Sequence, residues 1–189
     1  TDPASIGNPP ASAFSWTHDS TAPTVALSSS TVTSGDTTND SSIALSFTLS
    51  EAATDFTSAD VSTSGGTLSS FSGSGTAYTA TFTPSSDGPT SVSVAAGRFT
   101  DGAGNTNSAS SAFNWTYDST APTVTVSSAT VSNGATSNDS SISLTFTLSE
   151  AATDFISSDL SVTNGTISSF SGSGTSYSAT FTPTSDGAT

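Results

Sequence analysis

The acids are the residues of this chain with chemistry to offer, and they are confined to breaks between alternating apolar runs. Asp36 and Asp40 follow the first run, Glu51, Asp55 and Asp60 surround the end of the second, and Asp87, Asp101 and Asp118 occupy later breaks. Fifteen acids stand against a single Arg and no Lys, for a formal charge of −14. Carboxylates brought together without a basic neighbour repel one another, and a bound hard cation relieves that repulsion. Oxygen ligands in this number suit Ca²⁺ better than Mg²⁺ or Zn²⁺. The competing use of the same side chains is as solvated turn formers that cap backbone N–H groups.

Other chemistries find little support. A Ser/His/Asp triad has one His to draw on, His18, and the matching position in the next copy of the pattern is Tyr117, so the place calls for a ring on a strand rather than a base. Gly73-Ser74-Gly75 lacks the outer spacing of a nucleophile elbow and reads as a hairpin turn. With no Cys there is no disulfide and no zinc-binding set, and no phosphate loop is present. The negative charge excludes nucleic acid and anionic membrane surfaces as partners. No apolar run approaches the roughly 20 residues of a membrane span, so membrane insertion is not expected of this segment. Trp16 and Trp115 alternate with Phe14 and Phe113, which places both indoles in a core rather than on a sugar-binding platform.

The elements that must position the acids come from an internal repeat. Laying residues 1–90 on residues 100–189 needs no gap and leaves 61 of 90 positions identical, a period of 99. A period of that length is one compact domain, so the chain is an array of whole domains. Its Ser, Thr and Gly content, with 8% charged and 8% aromatic residues, favours strands and turns over helices. The complete repeat, residues 19–118, divides into seven short strands, A to G. A covers 23–29; B covers 42–50, where Ile43, Leu45, Phe47 and Leu49 alternate. C (61–64) and D (67–71) flank Gly65-Gly66 and read as a hairpin. Tyr78, Ala80 and Phe82 mark E; Val92, Val94 and Ala96 mark F; Phe113, Trp115 and Tyr117 mark G. Seven strands in about 100 residues around a buried Trp predict an all-β, immunoglobulin-like sandwich, with jelly roll and small barrel as the other all-β solutions. Residues 1–18 match the closing strand of a preceding repeat, and residues 119–189 repeat A through E without the last two strands.

In a Greek-key sandwich the B–C and F–G loops share one end, where the incoming linker also arrives. That topology predicts a cation site from Asp19, Glu51, Asp55 and Asp101, and a second at the next junction from Asp118, Glu150 and Asp154.

The run Ser50-Glu51-Ala52-Ala53-Thr54-Asp55-Phe56 with Asp60, then Gly66-Thr67-Leu68-Ser69-Ser70-Phe71-Ser72-Gly73-Ser74-Gly75 with Tyr78 and Pro84, resembles the bacterial Ig-like repeats of large surface adhesins and other long extracellular proteins. Phe99-Thr100-Asp101-Gly102-Ala103-Gly104-Asn105 and Asp118-Ser119-Thr120-Ala121-Pro122 carry the same resemblance, which covers the whole chain. It implies an exported bacterial protein at the cell surface or outside the cell, no enzymatic activity, and structural calcium between domains. Its partners would be neighbouring repeats of the same array and host or biofilm surface ligands. The expected function is an extended stalk or fibre of tandem sandwiches; the alternatives are a glycan- or protein-binding module and a noncatalytic spacer in a large secreted enzyme. The open third domain is expected to be completed by further chain of a longer array, with donor-strand assembly between chains as the competing arrangement.

Overall fold

The structure is a computed structural model that describes Pro3 and residues 10–189. Ten strands carry the fold, in two compact units, residues 1–119 and 120–189. In the first unit β1 (Val25–Ser29), β3 (Ile43–Ala53) and β5 (Gly66–Pro84) form one antiparallel sheet in the order β1-β3-β5. The second sheet has the order β2-β7-β6-β4, from β2 (Thr37–Thr38), β7 (Phe113–Tyr117), β6 (Gly88–Val94) and β4 (Val61–Ser64). All pairings are antiparallel except β2 with β7.

β5 is too long for one straight strand, and its internal contacts show that it doubles back. Ser72 Oγ lies 3.4 Å from Thr79 Oγ1, and Ser69 Oγ donates to Thr81 O at 3.4 Å. The reversal falls at the Gly73-Ser74-Gly75 turn expected from the sequence. Gly73 has φ 145°, and a Cβ there would strike Ala77 O and Tyr78 Cα, so the turn admits only glycine at that position. The limbs of β5 are thus strands D and E, and the two sheets contain A-B-E-D and C-F-G with a short extra strand beside G. This is the immunoglobulin-type sandwich.

Two expectations about strands change. C and D do not form a hairpin: β4 pairs with β6 in register from Val61↔Val94 to Ser64↔Ser91, so Gly65 carries the chain from one sheet to the other. The Gly65-Gly66 pair serves close packing at that crossing, since a Cβ on Gly65 would lie 2.7 Å from Pro89 O and one on Gly66 2.5 Å from the Phe82 ring. Strand F also ends at Val94, and Ala96 is exposed in the following loop.

The core follows the period-2 pattern. Ile43, Leu45, Phe47 and Leu49 are buried from one sheet, and Val92, Val94, Phe113 and Trp115 from the other. Trp115 packs edge-on against Phe82 at 4.7 Å, while its indole Nε1 has no hydrogen-bond partner. At the opposite end Phe56 plugs the sandwich, 4.9 Å from Phe99, 5.0 Å from Tyr78, 5.4 Å from Phe71 and 5.9 Å from Phe47. The Tyr78 hydroxyl donates to Ala53 O at 3.0 Å, closing the same layer.

Residues 10–18 form no strand, and Phe14 and Trp16 are 91% and 73% exposed. The core placement expected of Trp16 is therefore not found: the ring has the strand-G pattern without the sheet and core that cover Trp115. The remainder of the 1–18 expectation, at residues 1, 2 and 4–9, lies outside the described residues.

The second unit repeats one sheet, in the order β10-β9-β8, from β8 (Val124–Ser127), β9 (Ile142–Ala152) and β10 (Gly165–Pro183). Tyr177, Phe146, Phe155 and Phe170 reproduce the ring cluster, with Tyr177 OH donating to Ala152 O at 2.8 Å. The counterparts of β4 and β2 are not strands here; in the first unit those strands pair with β6 and β7, and of these only Gly88, Pro89 and Thr90 have counterparts in the second unit, Gly187, Ala188 and Thr189.

Replacing Phe56 with Ala opens a cavity under both end loops and is expected to cost about 3–5 kcal/mol. Denaturant unfolding followed by tryptophan fluorescence measures it, since Trp16 is already exposed and the signal change reports Trp115.

Candidate functional site

Three of the sequence-predicted acids meet at one end of the first unit. Asp19, Glu51 and Asp101 each present a carboxylate oxygen, and these atoms lie within 4.8 Å of one another. Asp19 comes from the segment entering β1, Glu51 from the end of β3, and Asp101 from the loop between β6 and β7.

Local structure explains each placement. Near Glu51 the β3–β5 ladder shifts register, from Thr48↔Ala77 to Ala53↔Gly75, so β3 bulges as it leaves the sheet. An isolated bridge between Ala53 and Asp101 ties the β6–β7 loop to that end of β3. Asp101 is 7% exposed and organises its own loop: Oδ1 accepts from Ala103 N and Asn105 N, both at 2.9 Å, and Oδ2 accepts from Asn105 Nδ2 at 2.9 Å. Gly104, at φ 93°, makes the tight return possible. Asp19 Oδ1 accepts from Thr21 N at 3.0 Å, and Asn105 Nδ2 also reaches Asp19 O at 3.4 Å. Asn105 thus bridges the loop and the incoming segment. It was not among the sequence candidates, although the run Asp101-Gly102-Ala103-Gly104-Asn105, an acid closing a glycine turn onto an amide, carried the signal.

Asp55 is a correction. Both of its carboxylate oxygens are turned to Thr100, accepting from Thr100 N at 3.0 and 3.2 Å and from Thr100 Oγ1 at 2.9 Å. Its neighbour Phe56 is committed to the core, which turns Asp55 toward the β6–β7 loop and away from the three-acid group. Asp55 joins two loops by hydrogen bonds, one of them the loop that carries Asp101. Several other acids cap turns in the way the solvated reading describes. Asp60 accepts from Thr57 N at 2.8 Å, Asp159 from Ile156 N at 2.8 Å, Asp40 from Thr38 Oγ1 at 2.7 Å, and Asp139 from Ser137 Oγ.

The second expected set is divided between the units. Asp118 belongs to the first, where its N–H donates to Thr38 O at 3.0 Å, and Glu150 and Asp154 belong to the second, Glu150 half-buried and Asp154 exposed. Asp154 is the repeat-mate of Asp55, and the positions equivalent to Thr100 and Asp101 in this copy lie beyond residue 189. A groove of about 310 Å³ is lined by Pro122, Val124, Leu148, Ala152 and Phe155, the last being the repeat-mate of Phe56, which packs on Phe99 in the first unit.

Electrostatics distinguish the three acids. Loss of solvent around its carboxyl, then the negative charges of Asp19 and Asp101 and a hydrogen bond with Asp19, raise Glu51 above the ordinary 4.5. The Asn105 side chain, followed against desolvation by the N–H groups of Asn105, Ala103 and Gly104, lowers Asp101 below the ordinary 3.8. The signs oppose each other. Glu51 holds its proton more tightly when folded, so its contribution to stability is present at acid pH and disappears as pH rises through its raised value. Asp101 contributes above its unfolded value and loses that contribution as pH falls through its lowered one. Without added metal, Glu51→Gln is therefore expected to raise the neutral-pH melting temperature and to flatten the decline in stability that Glu51 causes as pH rises above the ordinary glutamate range, which thermal melts from acid to neutral pH will measure.

No helix among the described residues is long and apolar enough to cross a membrane. Comparison with curated proteins finds no match. A family model described as bacterial Ig-like domain matches the chain twice, over residues 19–117 and again over residues 118–189. These matches begin at the homologous positions Asp19 and Asp118, fall on the sandwich and on its half-copy, and leave little of the chain unmatched: the protein belongs to the bacterial Ig-like domain family, a family of typically noncatalytic modules.

Proposed function

We propose that this chain is part of an extracellular or cell-surface stalk or fibre, built of tandem Ig-like domains and stiffened by Ca²⁺ where one domain joins the next. The observation that carries the reading is the meeting of Asp19, from the incoming segment, with Glu51 and Asp101 of the domain it enters. A cation held there ties the linker to the domain body.

The donor set fits a hard cation. All three groups are carboxylates, with neither His nor Cys among them, which disfavours zinc. Calcium–oxygen distances of about 2.3–2.6 Å place two ligands of one ion up to roughly 5 Å apart, a spacing that a 4.8 Å cluster satisfies. Glu51 is raised first by loss of solvent and then by the negative charges of Asp19 and Asp101, and a divalent ion would offset that second contribution.

Calcium is proposed as a structural ligand, with Asp19, Glu51 and Asp101 holding it; Asp118 and Glu150 are the repeat-mates of Asp19 and Glu51, and Asp154 is that of Asp55. Neighbouring repeats are the first partners of such a module. The high identity between the two copies supports a spacer role over a specialised binding face. A glycan array on which residues 19–118 bind selectively would overturn that preference.

Saturating calcium at about a hundred times Kd adds roughly 2.7 kcal/mol, which for a domain of this size corresponds to a rise of about 10–20 °C in melting temperature. Calorimetry with calcium and with a chelator measures it, and scattering of the same samples reads the inter-domain flexibility. Glu51→Gln should shrink the calcium-induced rise. A melting temperature and scattering profile indifferent to the chelator would reject the calcium reading.

A further inference from the structure

We propose that Asp87 is a clamp on the outgoing end of the repeat, fixing the linker to the domain it leaves and so limiting the freedom with which the next repeat follows. The inference rests on the reading of the chain as a stiff array and deepens it, but its central side chain, Asp87, is not among the acids assigned to the cation.

Asp87 lies in the exposed turn between β5 and β6. Its Oδ1 accepts two hydrogen bonds from one residue beyond β7, from Ser119 N at 2.9 Å and Ser119 Oγ at 2.7 Å. These are charge-assisted bonds, stronger than neutral ones. One residue earlier, Asp118 N donates to Thr38 O at 3.0 Å. The chain leaving the sandwich is therefore held at two successive residues, one from strand β2 and one from the β5–β6 turn.

The second unit takes hold of the chain again at Thr123, whose N–H donates to Ser149 Oγ at 2.9 Å and whose carbonyl accepts from Ser149 N at 2.9 Å. Between Ser119 and Thr123 stand Thr120, Ala121 and Pro122. The proline ring fixes its own φ and pushes Ala121 into extended backbone. Little torsional freedom is left in the segment as long as Ser119 is held, and releasing Ser119 returns two dihedrals to it. Both partners recur with the repeat: Asp186 stands at the position of Asp87, and Ser20 at that of Ser119. The pairing is thus available at successive joints.

Amide ¹⁵N relaxation on the whole chain tests the clamp, in saturating calcium and again with a chelator. In the wild type, order parameters at Ser119 and Thr120 should sit near about 0.85 in both conditions; Asp87→Ala should bring them below about 0.6, and Asp87→Asn, which keeps an acceptor oxygen, should restore them. Low order at Ser119 in the wild type, or an Asp87→Ala variant that keeps wild-type order, overturns the proposal. The calcium reading fails by a different sign, a melting temperature insensitive to the chelator, so either reading can fall while the other stands. Unchanged dispersion of the β3 and β6 amides shows that the variants remain folded.

Discussion

The end of the sandwich that receives the linker depends on one ring. Phe56 leaves the sheet just after β3 and turns back into the core between Phe47, Phe71, Tyr78 and Phe99. Burying a phenyl ring contributes about 1.5–3 kcal/mol, comparable to a sizeable share of a marginally stable domain. Its geometric effect is as large. With Phe56 inside and Phe99 packed against it, Asp55 and Thr100 face each other and bond through three contacts. The loop so anchored carries Asp101 and Asn105, and through Asn105 it reaches the carbonyl of Asp19. A hydrophobic plug thus determines where the carboxylates stand.

The two units form an internal comparison in which sequence is nearly constant and surroundings differ. Val25 is 7% exposed in the first, whereas its counterpart Val124 is 46% exposed in the second. Ile43 and Leu45 are fully buried, while Ile142 and Leu144 are half-buried. The sheet β10-β9-β8 forms nonetheless, because hydrogen-bonded neighbours within one sheet and the ring cluster above it are supplied locally. What disappears are the strands whose partners lie across the sandwich. Strand identity in residues 61–64 is a property of β6 being there, and their counterparts, which keep much of the same Ser/Thr character, do not adopt it.

The charge distribution has a related logic. With one Arg in 189 residues, basic partners are scarce, and backbone N–H groups, hydroxyls and one amide donate hydrogen bonds to the acids. Asp101, Asp55 and Asp87 each take several such donors. Glu51 loses solvent and faces two neighbouring carboxylates instead, and both raise it above the ordinary carboxyl range. Hydrogen-bonded acids shape loops in this domain, and Asp19, Glu51 and Asp101 are brought together at the end those loops form.

By itself the sequence determined the class, the period and the inward-facing residues, because alternation of Ile43, Leu45, Phe47 and Leu49 and the recurrence of whole motifs at 99 residues are local or repetitive signals. It also indicated which loops share an end, since an Ig-like strand order leaves few choices, and that was enough to bring Asp19, Glu51 and Asp101 together on paper. Tertiary structure decided the rest. Gly65 reads equally well as a hairpin turn or a crossing between sheets, and only the pairing of β4 with β6 selects the crossing. Asp55 differs from Glu51 in nothing that its type or position reveals; the burial of Phe56 one residue later aims it at Thr100. Phe14 and Trp16 carry the same alternation as Phe113 and Trp115, yet lie exposed, because periodicity states which face of a strand is apolar while burial requires another sheet to cover it.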